Sequence, residues 1–293
     1  MSKIASYLRL IRIPQWSKNL FIFLPAFFAL KLWDPGVIYN LLITFTGFSL
    51  LASAVYVFND MLDIEADRIH PTKRNRPLAS GAVTKKEGIF LIVILLLIAA
   101  ALFGILGDTT VMFIAGVYLL QNIAYTVKLK HISLLDIMLI ATGFVLRILI
   151  GGEATDTQLS QWIILMTLVL ALFLALAKRR DDVFNYVQTG QKARKNLEGY
   201  NLEFLNVAIT VMATVVVVCY VMYCTSPEIK QHFGNNVYLT SFFVILGVLR
   251  YLQLTFVWLI TGSPTTVLLK NRFLQVILLG WIVSFFLIIY LKI

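Results

Sequence analysis

Three aspartates stand at helical spacing in the most polar stretch of a strongly apolar chain. Asp60, Asp63 and Asp67 lie at positions i, i+3 and i+7, so their side chains would fall on one stripe of a helix. Neighbouring carboxylates repel each other unless a cation lies among them, and hard oxygen ligands that leave coordination positions open suit Mg²⁺. The spacing therefore predicts that the three aspartates hold a magnesium ion.

The basic residues that follow these aspartates are candidates for binding phosphate. They are Lys73, Arg74 and Arg76. Ammonium and guanidinium groups bind phosphate oxygens, including those that a metal ion leaves uncovered. An ordinary solvated loop also mixes acids and bases, but acids followed by bases between two apolar spans is an unusual order. We therefore predict that the loop at residues 59–85 binds a metal and a phosphate, with Asn59 beside the aspartates.

The composition places this loop in a membrane protein. Of the 293 residues, 59% are hydrophobic and 14% are charged, and the mean hydropathy is +0.85. Apolar runs of about 17 to 25 residues, long enough to cross a bilayer as helices, recur along the chain, whereas alternating runs of barrel-strand length are not seen. The sequence predicts an all-α polytopic membrane protein with a single domain over residues 1–293.

Nine membrane-spanning helices are predicted, and the charges between them set the orientation of the chain. The spans lie at roughly 18–33, 37–58, 86–106, 109–127, 132–150, 160–177, 203–224, 237–258 and 272–291. Most lysines and arginines fall on one side, which the positive-inside rule assigns to the cytoplasm together with the N-terminus. The net charge of +10 therefore reflects topology, and no nucleic-acid-binding module is implied. We expect a multi-pass protein of the cell membrane whose long cytoplasmic loops carry its function.

Signatures of several other protein classes are absent from the sequence. No GxxxxGK[ST], GxSxG or HExxH pattern occurs, which argues against a P-loop nucleotide site, a serine hydrolase and a zinc protease. Cys219 and Cys224 lie in one predicted span without metal-ligand spacing, and they are typical of small residues in a membrane core.

Two lysines near aromatic residues at the ends of predicted spans are candidates for phosphate contacts. Lys18 follows Trp16 just before span one. Lys128 lies three residues after Tyr125 at the end of span four, so both point to one helix face beside a short cytoplasmic loop at 128–131. The alternative in both places is an interface anchor, because aromatic residues and lysines collect where a membrane meets water.

The third long cytoplasmic loop, at about residues 178–202, opens with a dense group of charges. This group reads Lys178, Arg179, Arg180, Asp181 and Asp182. The basic residues have a topological explanation, whereas acids contribute little to membrane orientation. The acidic pair is therefore a candidate for the carboxylates of a second site.

Span five contains two charges that a bilayer resists, Asp136 and Arg147. They share a helix face, but at roughly 16 Å apart along the axis they are too distant to pair. Arg147 is therefore either a tie to another helix or a residue of a deep cavity.

The run Asn59-Asp60-x-x-Asp63-x-x-x-Asp67 resembles the first aspartate-rich motif of the UbiA-type intramembrane prenyltransferase superfamily. The resemblance implies a bundle of transmembrane helices around a cytoplasm-facing cavity that holds Mg²⁺ and a diphosphate, with a lateral opening for a lipid chain. The predicted count of nine spans agrees with that family.

The second motif of the family is Asp-x-x-x-Asp after span six, where this chain has Asp182 at the last position and Lys178 at the first. One branch, the polyprenyl-phosphate (decaprenyl-type) phosphoribosyltransferases, shows this kind of basic replacement. Other stretches that resemble this branch are Pro14-Gln15-Trp16-x-Lys18-Asn19, His70-Pro71-x-Lys73-Arg74-x-Arg76-Pro77 and Gly143-Phe144-x-x-Arg147.

The branch resemblance implies transfer of 5-phosphoribose from 5-phosphoribosyl 1-diphosphate to a polyprenyl phosphate, with release of diphosphate. It implies that Asp60, Asp63 and Asp67 bind Mg²⁺ and act in catalysis together with Lys178. It assigns the substrate phosphates to Lys18, Asn59, Lys73, Arg74, Arg76, Tyr125, Lys128, Arg179, Arg180 and Asp182. The acceptor is an anion at neutral pH, so the reaction needs no general base.

Two other functions remain open at this stage. A prenyltransferase would move a prenyl group from its diphosphate to an aromatic or lipid acceptor, and it would normally present an acid where this chain has Lys178. A transporter or flippase for an anionic lipid would use the same basic cavity, but the aspartate-rich motif has no evident role in one. The bilayer is a partner in every case, and a homo-oligomer is compatible with the sequence.

Overall fold

The computed structural model describes residues 3–190, 195–259, 267–268 and 270–291. Every regular element in these residues is helical, and no β-strand occurs among them. The predicted all-α class is therefore confirmed. The chain forms two compact units, residues 1–160 and 161–293.

The first unit is built around a long central helix. Its α-helices are α1 (Lys3–Leu10), α2 (Leu24–Phe28), α3 (Pro35–Leu62), α4 (Ile64–Ile69), α5 (Lys85–Leu106), α6 (Thr109–Val127) and α7 (Leu135–Ala154). A long 3₁₀ helix covers Ile13–Phe23, and short ones cover Lys31–Trp33, Lys73–Asn75 and Leu129–His131. α3 packs along α5 and also contacts α6 and α7. The core residues Leu41, Phe48 and Ile150 are fully buried.

Local sequence explains where α3 begins and how closely it packs. Oδ1 of Asp34 accepts the backbone N–H of Gly36 at 2.8 Å, and Pro35 occupies the first turn, where its missing N–H does no harm. Gly47 lets α5 approach, because a Cβ at this position would lie 2.9 Å from Cε1 of Phe103. Small residues at such contacts are typical of helices that pack in membranes.

The helix that carries the aspartates is interrupted at Asp63. α3 ends at Leu62, Asp63 adopts φ −90° and ψ 6°, and the short helix α4 begins at Ile64. After the following loop, α5 begins with a capping box in which Thr84 and Glu87 satisfy each other's backbone N–H groups. The loop is thus held between two defined helix ends.

The α-helices of the second unit are α8 (Gln161–Thr189), α9 (Leu202–Thr225), α10 (Pro227–Phe233), α11 (Ser241–Phe256) and α12 (Arg272–Leu291), and 3₁₀ helices cover Lys195–Gly199 and Asn235–Thr240. α8 packs along α9, and α11 packs against both α9 and α12. The predicted loop at 178–202 is wrong in its first part, because α8 continues as far as Thr189. The charged group at its start therefore lies on a helix. Residues 191–194 of that loop lie outside the described residues.

Seven helices in the described residues are long and apolar enough to cross a membrane. They are α3, α5, α6, α7, α8, α9 and the segment Asn235–Phe256, which ends in α11. The part of α12 at Arg272–Ile288 is a further apolar segment. The chain is a multi-pass membrane protein, but the predicted count of nine spans is not confirmed.

The predicted first span, residues 18–33, is not a single α-helix. Ile13–Phe23 and Lys31–Trp33 are 3₁₀ helices, and only the short α2 lies between them. Pro25 cannot donate an intrahelical hydrogen bond, and Leu30 takes a left-handed φ of 58° that turns the chain out of a helix. Apolar length alone therefore predicted a continuous span at residues 18–33, where the structure has an interrupted helix.

Candidate active site

Asp60 and Asp67 converge on one guanidinium group. Nη1 of Arg76 donates to Oδ1 of Asp60 at 2.9 Å and to Oδ2 of Asp67 at 2.7 Å. Nη2 of Arg12 also donates to Oδ1 of Asp60. The two aspartates are only 2% and 3% exposed. Their carboxylates can therefore close on a single cationic atom in a largely dry environment.

Asp63 has a different set of partners. Nζ of Lys130 donates to Oδ1 of Asp63 at 2.8 Å and reaches Oδ1 of Asn59 at 3.4 Å. Nδ2 of Asn59 donates to the other carboxylate oxygen of Asp63 at 3.1 Å. Because the helix breaks at Asp63, the three aspartates do not form the continuous stripe that their spacing predicted.

The donor chemistry of Asp60 and Asp67 fits a magnesium ion. Mg²⁺ keeps several waters and is usually bound through one or two carboxylates together with substrate phosphates. Among the described residues, no group of three or more acidic, histidine or cysteine side chains is arranged to hold a metal. Asp60 and Asp67, which share Arg76, are therefore the better-supported metal ligands, and Asp63 stays a predicted third ligand.

The loop after α4 is shaped by His70. Its Nδ1 accepts the backbone N–H groups of Thr72 at 3.3 Å and Lys73 at 3.4 Å. Partial burial, followed by the charge of Lys73, lowers the pKa of His70 below its usual value. The neutral ring is thus engaged as an acceptor within the loop. Of the predicted phosphate ligands on this loop, Lys73 is half-buried and Arg74 is exposed.

The other predicted phosphate ligands of the first unit are not bonded to the aspartates. Lys18 is half-buried in the 3₁₀ helix Ile13–Phe23 and has no hydrogen bond or ion pair with another described residue. Tyr125 is half-buried near the end of α6, and Lys128 is exposed directly after it. Their roles at phosphate stay predictions.

Two residues that contact the aspartates escaped the sequence reasoning. From the sequence, Arg12 and Lys130 are interpreted only as part of the positive charge on the cytoplasmic side, yet Arg12 binds Asp60 and Lys130 binds Asp63. Both pairs join residues far apart in the chain, so no local spacing points to them. The usable signal was energetic, because buried carboxylates require counter-charges from elsewhere in the fold.

Arg147 is a tie between helices of the first unit. Its Nε donates to Oδ1 of Asn19 at 2.7 Å, and its Nη2 donates to the hydroxyl of Tyr118 at 3.2 Å. The guanidinium also lies over the rings of Phe48, Tyr118 and Phe144, with centroid distances of 5.0 to 5.3 Å. Of the two readings left open by the sequence, the contacts favour the structural one.

Replacing Arg147 by methionine should therefore lower the stability of the protein. We expect the free energy of unfolding to fall by about 3 kcal/mol, because Asn19 and Tyr118 lose a buried donor. Thermal unfolding in detergent measures the change, and Leu146→Met on the same helix is the control, since it conserves volume. Normal thermal stability of Arg147→Met together with lost activity would instead favour a role for Arg147 in a deep cavity.

The charged group on α8 in the second unit contains buried guanidinium groups. Nη1 of Arg179 donates to Oδ2 of Asp182 at 2.8 Å. Nε of Arg180 donates to Oδ1 of Asn206 on α9 at 2.8 Å. Arg180 is 5% exposed, and its Nη1 has no hydrogen-bond partner in the described part of the chain. A buried, unsatisfied cationic donor is unfavourable unless an acceptor such as an anion completes it. Lys178 is exposed on the same helix.

Comparison with known proteins settles the family. A sequence profile of the UbiA prenyltransferase family matches residues 22–255. The chain belongs to this family. The UbiA motif that the sequence suggested at Asn59 to Asp67 lies inside the matched region, and the predicted family is confirmed. This UbiA protein is therefore a membrane transferase.

Two relatives and one solved structure add detail to this UbiA assignment. The chain is 32% identical to decaprenyl-phosphate phosphoribosyltransferase of Mycolicibacterium smegmatis, over 95% of this chain and 91% of that protein. It is 32% identical to the protein of the same name in Mycobacterium tuberculosis H37Rv, over 96% of this chain and 93% of that protein. The predicted resemblance to that branch is confirmed.

The solved structure is a UbiA homolog from Archaeoglobus fulgidus bound to GPP and Mg²⁺. It matches with a TM-score of 0.72 and 17% sequence identity, over 97% of this chain and 99% of that chain. At this identity the similarity establishes the fold alone. The expected UbiA-like architecture is confirmed.

Proposed function

We propose that this UbiA protein transfers 5-phosphoribose from 5-phosphoribosyl 1-diphosphate to a polyprenyl phosphate in a magnesium-dependent reaction. The observation that carries the proposal is the buried pair Asp60 and Asp67, whose carboxylates both accept from Nη1 of Arg76. The relatives named decaprenyl-phosphate phosphoribosyltransferase support the choice of donor and acceptor, because they match this chain along most of its length.

The aspartate pair acts on the leaving group. In the reaction the bond between C1 of ribose and the diphosphate oxygen breaks, and the diphosphate departs with the bonding electrons. Mg²⁺ held by Asp60 and Asp67 would neutralise the charge that develops on this diphosphate. Arg12, which contacts Asp60, and Arg76, which contacts both carboxylates, would lie beside this metal and supply further positive charge.

The acceptor needs charge and position rather than proton removal. An oxygen of the polyprenyl phosphate is already anionic at neutral pH, and it forms the new bond to C1 of ribose. No general base is therefore required. His70, the histidine nearest the aspartates in the chain, uses its Nδ1 as an acceptor for loop N–H groups, which fits a structural role.

The basic group on α8 is proposed to bind substrate phosphate. Lys178 stands where most of the family is expected to carry an acid, and Arg179 and Arg180 follow it. The unsatisfied Nη1 of buried Arg180 supports an anion at this position. A phosphoribosyl donor and a phosphate acceptor bring more anionic groups than a prenyl diphosphate does, so a basic corner suits them.

The orientation of the site is part of the proposal. The concentration of lysine and arginine on one side of the spans supports a site that faces the cytoplasm of the cell membrane. A water-soluble, polyanionic donor would reach the aspartates from that side, while the polyprenyl chain stays in the bilayer.

A transfer assay tests the proposed function. Protein purified in detergent is incubated with Mg²⁺, labelled 5-phosphoribosyl 1-diphosphate and a polyprenyl phosphate. We expect label to enter the organic phase, and we expect EDTA to abolish this transfer because the aspartate pair loses its metal.

A parallel reaction distinguishes the prenyltransferase alternative. It offers a prenyl diphosphate and an aromatic acceptor to the same preparation. Consumption of the prenyl diphosphate without any phosphoribosyl transfer would replace the proposal with prenyl transfer. Inactivity in both reactions, from protein that is folded by thermal unfolding, would remove both.

A further inference from the structure

A small polar cavity lies between α1, the residues that follow it and the loop before α5. Its volume is about 130 Å³. Its polar lining consists of Arg9, Arg12, Asp60, Thr72, Asn75 and Arg76. α1 is fastened to the first unit because Ser6 and Leu10 are buried and Lys3 forms an ion pair with Glu87 of α5. The cavity is therefore built from anchored elements on both sides.

The charge of the cavity wall favours an anion. The wall carries three guanidinium groups and the carboxylate of Asp60, and Arg76 is shared with Asp67. One positive charge remains after the two carboxylates are counted. Thr72 and Asn75 add a hydroxyl and an amide on the loop side. Guanidinium groups combined with neutral donors suit a ligand with several acceptor oxygens.

The volume of the cavity is compatible with one phosphate group. It corresponds to roughly four water molecules at their liquid volume. In the proposed reaction, the groups that match this charge and size are the terminal phosphates of phosphate monoesters.

Arg12 and Arg76 have a second role in the same place. Both donate to Asp60, and Arg76 also donates to Asp67. A divalent cation on the two aspartates would compete for the position that Nη1 of Arg76 now holds, because two cations cannot share one pair of carboxylates at hydrogen-bond distance. Guanidinium groups displaced from the aspartates would remain at the wall of the cavity.

We propose that this cavity binds a phosphate monoester through Arg9, Arg12 and Arg76, and that Arg12 and Arg76 exchange the aspartates for this phosphate when a divalent cation binds. The inference rests on the proposed function, in which two phosphate monoesters occur: the 5-phosphate of the donor and the phosphate of the acceptor. The cavity serves one of them.

Exchange of partners makes the two binding events cooperative. A cation on Asp60 and Asp67 frees the arginines for phosphate, and phosphate on the arginines frees the aspartates for the cation. By linkage each ligand raises the affinity of the other by the same factor. When no phosphate is bound, Arg12 competes with the cation for Asp60, as Arg76 does.

The test measures binding to the full-length protein in detergent. Mn²⁺ is the spectroscopic probe for the cation site, and its affinity is determined alone, with ribose 5-phosphate and with geranyl phosphate. The variants are Arg12→Gln and Arg9→Gln. Arg68→Gln is the control, because Arg68 pairs with exposed Glu65 outside the cavity lining.

In the unchanged protein we expect a phosphate monoester to tighten Mn²⁺ binding by at least about fivefold, the lower end of typical coupling between sites. Arg12→Gln should bind Mn²⁺ about fivefold more tightly without phosphate, bind the phosphate about tenfold more weakly and lose the coupling. Arg9→Gln should weaken phosphate binding without changing Mn²⁺ affinity, because Asp60 is bonded to Arg12 and Arg76 and not to Arg9. A merely structural role for Arg12 would not produce opposite changes in the two affinities.

The source of the phosphate follows from which probe is coupled to Mn²⁺. Coupling with ribose 5-phosphate assigns the cavity to the donor, and coupling with geranyl phosphate assigns it to the acceptor. Absence of coupling with both probes in the unchanged protein would overturn the inference, as would unchanged phosphate affinity in Arg9→Gln. If phosphoribosyl transfer occurs without coupling, this inference fails while the proposed function stands. If coupling occurs without phosphoribosyl transfer, the proposed function fails while the phosphate site and its coupling to the cation stand.

Discussion

Substituting Asp67 by asparagine is expected to lower kcat/KM for phosphoribosyl transfer by roughly 10³-fold, the upper range for loss of one preorganised electrostatic element. Asparagine keeps the size of the side chain and an acceptor for Nη1 of Arg76, which lies 2.7 Å from Oδ2 of Asp67. It removes the negative charge that a magnesium ion requires. Steady-state kinetics over a range of Mg²⁺ concentrations should show that the cation no longer saturates at its normal concentration.

Glu65→Gln is the matched control for this substitution. Glu65 is an exposed acid on the same short helix α4, and it pairs with Arg68 at the surface. Its replacement should leave kcat/KM nearly unchanged. Near-normal turnover of Asp67→Asn would remove this carboxylate from the metal site.

Asp63→Asn separates two possible ligand sets. Asp63 is held by Lys130 and Asn59 rather than by Arg76, so its substitution should have a smaller effect than that of Asp67. A loss as large as that of Asp67→Asn would show that all three aspartates act together, as their spacing in the sequence suggested.

Reversing the charge of Lys178 is the second substitution from which we expect a large loss of phosphoribosyl transfer. Lys178→Asp restores the acid of the family's second motif and should lower phosphoribosyl transfer by at least about 10²-fold, because a charge-assisted contact to phosphate is replaced by repulsion. KM for the phosphate-bearing substrate should rise more than kcat falls, since the lysine is proposed to bind rather than to react. Varying each substrate in turn identifies which phosphate is involved.

Lys86→Asp provides the same charge reversal outside the proposed site. Lys86 is exposed in the first turn of α5. If both reversals reduce transfer equally, the effect comes from the overall charge of the protein surface. Gain of prenyl transfer in Lys178→Asp would strengthen the view that this position selects between the two chemistries.

The helical spacing of residues and the length of the apolar runs were enough to predict the all-α class and the part of the chain that contains the candidate site. Apolar runs of membrane-crossing length identified α3, α5, α6, α7 and α9 within a few residues, and they identified the start of α8 but not its end. The placement of Asp60, Asp63 and Asp67 at the end of a span was also correct. These features are local, because helical periodicity and hydrophobicity are properties of adjacent residues.

The partners of the aspartates could not be predicted in this way. Arg12 and Lys130 reach Asp60 and Asp63 from segments 48 and 67 residues away in the chain, and only the tertiary fold brings them together. The helix break at Asp63 was missed for a related reason. Nothing in the spacing reveals it, since a stripe at i, i+3 and i+7 assumes a continuous helix. The candidate site could be located from the sequence, but the basic residues that pair with its aspartates could not.

The guanidinium group of Arg76 also bears on how the protein is made. Many small metalloproteins are unfolded until their metal binds, because the free energy of metal binding drives their folding. In this chain the buried carboxylates Asp60 and Asp67 already have an internal counter-ion from the same polypeptide. We therefore expect the protein to fold without metal, and chelation should abolish the proposed transfer without unfolding the protein.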